Sequence, residues 1–283
     1  MPVLDWISGS VWSLDGDRTA VRILTVIKQV PDSNATIKVA DGGRDIGRGG
    51  LKLVLNPFDE YALEQAVQLK EKRSDVEEVV ALVLGDEKAS ESLRTALAMG
   101  ADRGIHVSDE AIDARDELGW AAVAAAAIKR DDRGFDLIVT GKQTIDNDVG
   151  EAGPALAELL DLPHVGAACT LKVADDGRSF KARRRVEGAE EIVECSLPAV
   201  LTCEKGLVEP RYPSLPNLMK AKRKPVEKLT LADLDGVSAS TPGVEFVSVA
   251  PPPPRPECKM VQGEPEEMAR ELVRLLREEA KVV

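Results

Sequence analysis

Aromatic residues, cysteine and histidine are scarce in this chain, and so are long apolar runs and any excess of positive charge. Aromatics make up 3% of the 283 residues, too few for the stacking platforms that grip single-stranded nucleic acid. Lysine and arginine number 37 against 49 acidic residues, a formal net charge of −12. Neither nucleic acid nor an anionic membrane is therefore expected as the main partner. The longest apolar stretch, residues 121–128, is mostly alanine and far too short to cross a bilayer, so no membrane insertion is expected. Four cysteines (Cys169, Cys195, Cys203, Cys258) stand far apart without a Cys-x-x-Cys, and the chain has two histidines. Zinc, iron–sulfur and haem sites are not expected, and the thiols read as buried and reduced in a cytoplasmic protein. Residues 1–20 carry Asp5 and no basic start followed by an apolar run, so they do not read as a signal peptide.

Several catalytic signatures are also missing. There is no G-x-x-x-x-G-K-[ST], no G-x-G-x-x-G and no G-x-S-x-G, which disfavours a P-loop ATPase, an ordinary dinucleotide dehydrogenase and a serine hydrolase. A Ser-Gly-Gly-x-Asp-Ser loop, needed by an ATP-cleaving ligase, is absent where it would follow the first strand; residues 29–33 read QVPDS. His106 and His164 are isolated and read as structural. No catalytic constellation is expected, as befits a non-catalytic protein.

What remains is the composition of an ordinary globular chain, 43% hydrophobic and 30% charged. Residues 21–30 (VRILTVIKQV), 79–84 (VVALVL), 135–140 (FDLIVT) and 198–203 (PAVLTC) are apolar without alternation, as strands covered on both faces should be. Between them, helical periodicity predicts helices over 59–72, 89–99, 117–130 and 149–160. Alternating β and α of this kind predicts an α/β fold, three-layer α/β/α with a mainly parallel, Rossmann-like sheet. From Cys169 onward, short strands at 171–174, 180–186 and 192–195, joined by Asp176-Gly177 and Glu187-Gly188, predict a small antiparallel meander. The expected organisation is an extension at 1–20, disordered or a misassigned start, an α/β domain at 21–205, an extended arm at 206–250, and a proline linker with a C-terminal helix (265–281) at 251–283.

Three stretches could carry function. Asn56-Pro57-Phe58-Asp59-Glu60 reads either as a well-capped helix start or as a helix N-terminus open to a phosphate. Residues 141–150 (GKQTIDNDVG) follow a buried strand, the place where open α/β sheets bind ligands. There Gly141 and Gly150 allow close backbone approach, Lys142 can neutralise phosphate, and Thr144 and Asn147 offer hydrogen bonds; ordinary turn chemistry explains the same residues. Residues 209–224 hold Leu215 between two prolines, where it cannot easily retreat into a helix, beside Lys220, Lys222, Arg223 and Lys224. That combination reads as a docking element for an acidic partner or as a packed arm with a solvated basic end.

These stretches, with the opening strand, LNPFDEYALEQAVQLKEK, SLRTALAMGADRGIHV, TGKQTIDNDVGEAG and LPAVLTCEKGLVEPRYPSLPNLMKAKRKP, resemble the beta subunits of the electron-transfer flavoprotein family over residues 21–250. The resemblance implies a heterodimer with an alpha subunit that holds most of the FAD. It carries electrons from dehydrogenases, typically acyl-CoA dehydrogenases, to a membrane quinone oxidoreductase. It also implies a structural AMP in this chain, contacted by Val26, Asn56, Pro57, Phe58, Asp59, Leu84, Gly141, Lys142, Gln143, Thr144, Ile145, Asp146, Asn147, Asp148, Val149, Gly150, Glu151 and Ala152. Docking onto dehydrogenases would fall to Arg211, Tyr212, Leu215, Pro216, Met219 and Lys220. Within the family, Asn147 and Val149 resemble AMP-binding members, whereas Gly153-Pro154 resembles bifurcating members with a second FAD in this subunit. A stand-alone adenine-nucleotide sensor is the competing reading from another class.

Overall fold

Strands that are apolar on both faces require both faces of their sheet to be covered, and the computed structural model shows such an arrangement. It describes residues 20–47, 49–237, 244–255 and 257–283; the expected extension therefore lies, but for Ala20, outside the described residues. In chain order the elements are β1 (Val21–Ile27), β2 (Gln29–Pro31), β3 (Leu53–Leu55), α1 (Pro57–Lys72), β4 (Val76–Gly85), α2 (Ala89–Met99), β5 (Arg103–Ser108) and α3 (Glu117–Lys129). Then come β6 (Leu137–Gly141), α4 (Ala152–Leu160), β7 (His164–Val173), β8 (Ser179–Val186), β9 (Ala189–Ser196) and β10 (Ala199–Cys203). The last are α5 (Leu215–Ala221), β11 (Val226–Leu229) and α6 (Pro265–Arg274).

Nine strands form one sheet in the order β11-β5-β4-β1-β6-β10-β7-β8-β9. The pairs from β11 to β7 are parallel, and β8 and β9 add antiparallel. Helices α1 and α2 pack on one face around Leu63, Ala66, Leu93 and Leu97, and α3 and α4 on the other around Ala124, Ile128, Leu156 and Leu160. The expected α/β/α class is observed. After β1 the chain builds outward through β4 and β5, then returns to the other side of β1 with β6. This reversal is a topological switch point, and it opens a crevice at the carboxyl ends of β1 and β6.

Three local expectations change. The run 21–30 breaks at Lys28: its N–H donates to Asp59 Oδ2 (2.8 Å) rather than to a neighbouring strand, and β2 pairs with β3 in a separate two-stranded sheet. Helix α4 starts at Ala152, not at 149, because the Val149 N–H is held by Asn147 Oδ1 at 3.1 Å. The expected antiparallel meander is present as β7-β8-β9, joined to the main sheet where β7 pairs parallel with β10. Finally, the arm is not merely extended. Its β11 pairs parallel with β5, and Leu229, Leu231 and Leu234 are buried against the α3 side. Strands β3, β5 and β11 escaped the reading of the sequence because each is short or interrupted by charge and glycine.

At the amino end of the sheet, Arg22 is 3% exposed. Its guanidinium lies over the Phe135 ring (4.6 Å), bonds the Gly134 carbonyl, and pairs with Glu78 and Asp131 (2.8 Å), which Arg103 also bridges. Removing one member of such a buried cluster leaves uncompensated charge. Arg22→Ala should cost about 3 kcal/mol of unfolding free energy, read as a lower denaturant midpoint with the slope unchanged.

Candidate functional site

The crevice is built around one carboxylate. Asp59, in the first turn of α1, is 2% exposed and accepts from Lys28 N at 2.8 Å and Gly141 N at 2.9 Å. It thereby joins the ends of β1 and β6 to the start of α1. Burial pushes its carboxyl up to about 7, against the opposing pull of those two amides, Asn56 and Lys28. Gly141 must lack a side chain, because a Cβ would sit 2.6 Å from both Asp59 Oδ1 and Phe58 Cβ. Burial, and next the Asp59 charge, push the neighbouring Cys203 thiol far above its usual range.

Asn56 sits at the N-cap of α1 with its side chain turned elsewhere. Its Nδ2 donates to the Gln143 carbonyl (3.0 Å) and its Oδ1 accepts from Ile145 N (3.3 Å), so it pins the loop 141–150 across the crevice. The Asn56 side chain thus staples the loop instead of capping the helix. Inside the loop, Thr144 Oγ donates to Asn147 Oδ1 (2.9 Å), Gln143 Nε2 to Asp148 Oδ1 (3.0 Å), and Asp148 takes a left-handed backbone at φ 54°. Gly150 packs on the Lys142 carbonyl, which a Cβ would meet at 2.6 Å. The close approaches of Gly141 and Gly150 are thus made to the protein's own backbone and side chains.

The charges are matched in pairs. Lys142 Nζ bonds Glu204 and lies 5.7 Å from the Phe58 ring centroid. Lys28 Nζ, at the buried end of β1, reaches Asp146 Oδ2 (3.1 Å) and Thr144 Oγ (3.4 Å). Glu117, the first residue of α3, accepts from Glu151 N (3.0 Å), Ala152 N (3.2 Å) and Asn147 Nδ2 (3.1 Å). Reading the sequence missed Lys28 and Glu117, and with them Trp120. Lys28 had a signal, a lone charge closing an apolar strand. An acid in a helix's first turn is too common to stand out.

A cavity of about 430 Å³ opens at the ends of β1, β4 and β5, lined by Gln29, Leu84, Asp86, Arg115, Asp146 and Asn147 among others. A second, of about 20 Å³, lies under the loop against Lys28, Glu117, Trp120 and Lys142, and Ala114 lines both. Of the expected contacts, Leu84, Asp146 and Asn147 line the large cavity. Asp59, Gly141, Lys142, Gln143, Thr144, Val149, Gly150 and Ala152 line the small one. Val26 is buried in the core on the α3 side. Pro57 opens α1, and Phe58 lies beneath Lys142. Ile145 and Glu151 enter through their backbone amides.

The expected docking residues divide. Arg211 turns inward, forming paired bonds to Glu64 (2.7 and 2.9 Å) and Glu71 (2.6 and 2.8 Å) on α1. These bonds raise its pKa beyond the usual range. Arg211 anchors the arm rather than facing solvent. Lys224 likewise donates to the Leu97 and Ala101 carbonyls (2.8 and 2.6 Å) at the end of α2. Leu215 does enter a helix: Ser214 Oγ caps α5 by accepting from Asn217 N (3.3 Å), and Pro216 is tolerated in the first turn. Its side chain nevertheless stays 78% exposed beside Tyr212 (97%) and Met219, with Pro216 and Lys220 also exposed.

The fold and crevice define a doubly wound α/β protein with its crevice at the topological switch point. A family model, the electron transfer flavoprotein domain, matches residues 46–234. The electron transfer flavoprotein subunit beta of Bacillus subtilis is 40% identical over 265 residues, 93% of this chain and 100% of the relative. That of Sus scrofa is 40% identical over 263 residues (93% and 99%), and that of Homo sapiens 41% over 236 residues (83% and 90%). The chain belongs to the electron transfer flavoprotein family.

The raised pKa of Asp59 fixes a pH dependence. Between its ordinary value of 3.8 and about 7, the folded state keeps a proton that the unfolded state has lost. Stability therefore falls as pH rises through that window and levels off above it. In Asp59→Asn this contribution is gone, so denaturation midpoints of the variant should fall less than wild type across the window; equal slopes would refute the assignment.

Proposed function

We propose that the chain is the beta subunit of a heterodimeric electron-transfer flavoprotein, pairing with an alpha subunit that holds most of the FAD. The observation that carries this reading is the similarity to beta subunits over nearly the whole chain and nearly the whole of each relative. Electrons would come from dehydrogenases, typically acyl-CoA dehydrogenases, and leave to a quinone oxidoreductase, in the cytoplasm. The flavin, when bound, supplies the redox chemistry; this chain's residues bind, orient and dock, and none is assigned an acid–base role. No described helix is long and apolar enough to cross a membrane.

The reading extends to an AMP with a structural role in the crevice. A cavity of about 430 Å³ lies in the size range of small-molecule sites. The buried Lys28 ammonium and the unpartnered indole N–H of Trp120 are donors of the kind a phosphate needs. The residues present therefore fit an adenine nucleotide, held by Asn56, Asp59, Leu84 and the loop 141–152. Bound nucleotide would stabilise the fold with the logarithm of its concentration over its dissociation constant.

The exposed Leu215, on a helix anchored by Arg211, is the docking tip in this reading. Leu215→Ala should weaken electron transfer from at least one dehydrogenase while folding and nucleotide content persist. Unchanged transfer from every dehydrogenase tested would remove the docking assignment.

Nucleotides released by denaturing the complex purified with its alpha subunit, identified by mass spectrometry, test the cofactor reading. One FAD and one AMP per heterodimer is the expected result. Two FAD and no AMP would replace it with a bifurcating flavoprotein, the arrangement that Gly153-Pro154 resembles. A stable, monodisperse chain without an alpha partner would favour the stand-alone sensor. In Gly141→Leu, whose side chain would displace Asp59 and Phe58, nucleotide occupancy should drop several-fold, measured the same way.

A further inference from the structure

The first turn of α4 faces the crevice, where its amides point at whatever anion lies there. Pro154 has no N–H, so the available donors are those of Glu151, Ala152 and Gly153. Glu117 takes two of the three. Its Oε2 lies 3.0 Å from Glu151 N and 3.2 Å from Ala152 N, and its Oε1 3.1 Å from Asn147 Nδ2, with the residue 6% exposed. Because Glu117 also opens α3, its carboxylate sits between two helix N-termini, and both macrodipoles favour a negative charge there.

One turn along α3, on the same face, Trp120 is 5% exposed and its Nε1–H has no partner. It lines the same small cavity as Glu117, Lys28, Gly150 and Ala152. At about 20 Å³ that cavity has room for one water molecule and not for a phosphate. The polar atoms suited to a phosphate are therefore gathered around a space that Glu117 already fills with its own anion.

We propose that Glu117 is a built-in competitor for the phosphate of a nucleotide in the crevice. The proposal rests on the nucleotide reading above. A phosphate can take the α4 amides when the Glu117 carboxylate leaves them, because two anions cannot share two N–H groups. The apparent affinity for a nucleotide is then lowered by the fraction of molecules in which Glu117 is seated. The nucleoside part, which occupies the large cavity, does not feel this competition.

The test uses the full chain co-purified with its alpha subunit and stripped of bound nucleotide by partial unfolding and refolding, with the stripping checked by mass spectrometry of a denatured sample. Titration calorimetry with AMP, adenosine and inorganic phosphate is compared for wild type, Glu117→Gln and Glu117→Ala. Glutamine keeps the shape and one carbonyl acceptor while dropping the charge, so it guards against an alanine variant that fails to fold. The expected result is AMP binding tightened about tenfold or more in the variants, with adenosine affinity unmoved.

Equal tightening of AMP and adenosine, or AMP affinity unchanged or weakened, would overturn the competition and leave a nucleotide site standing. Tightening confined to inorganic phosphate would also overturn it, by making the pocket one for free anions. No binding of AMP or adenosine to any of the three proteins would overturn both the competition and the nucleotide reading.

Discussion

The Asp59 carboxylate ties together three segments that are distant in the chain, and the crevice exists because of that tie. By accepting from Lys28 N and Gly141 N it stops β1 and β6 at the same level and seats the first turn of α1 across their ends. The buried carboxyl meets both amides at once, and so holds the three segments at one point. The arrangement explains why the loop begins with glycine and why the chain turns away from the sheet at Lys28. Asn56, one turn earlier, extends the junction to the far side of the loop through Gln143 and Ile145.

Around this junction three charges have internal partners: Lys28 with Asp146, Lys142 with Glu204, and Glu117 with the amides of α4. In the nucleotide reading proposed above, an incoming anion would exchange one set of partners for another, with the Trp120 N–H as a donor that has none. Its net gain is the difference between two good arrangements, which is small compared with either. The arrangement is held by its own contacts, and in that reading affinity would depend on how readily the Glu117 carboxylate yields.

The arm shows the same economy at a different place. Arg211 bridges Glu64 and Glu71, and Lys224 closes the end of α2, so basic residues are used to fasten the segment to the domain. The apolar residues Tyr212, Leu215 and Met219 are left outward on a short capped helix. Of the basic run itself, Lys224 is used as such a fastening, while Lys220, Lys222 and Arg223 stay at the surface. Charge seen in sequence does not say whether an acid lies across the fold to meet it.

The sequence by itself determined the α/β/α class, four of the parallel strands, the four helices that cover the sheet and the loops that flank the crevice. These follow from apolar runs, helical periodicity and turn residues, which are local properties of the chain. Tertiary structure alone decided the partners. That Asp59 would face Gly141 across 82 positions, that Arg211 would meet Glu64 across 147, and that Glu117 would occupy the start of α4, depend on which elements become neighbours. Strand β11 is of the same kind: four residues with little periodicity of their own become a strand because the edge of β5 offers unpaired amides and carbonyls. Long-range hydrogen bonds and ion pairs leave no periodic trace in the chain, so what the residues are could be read early, and what they hold could not.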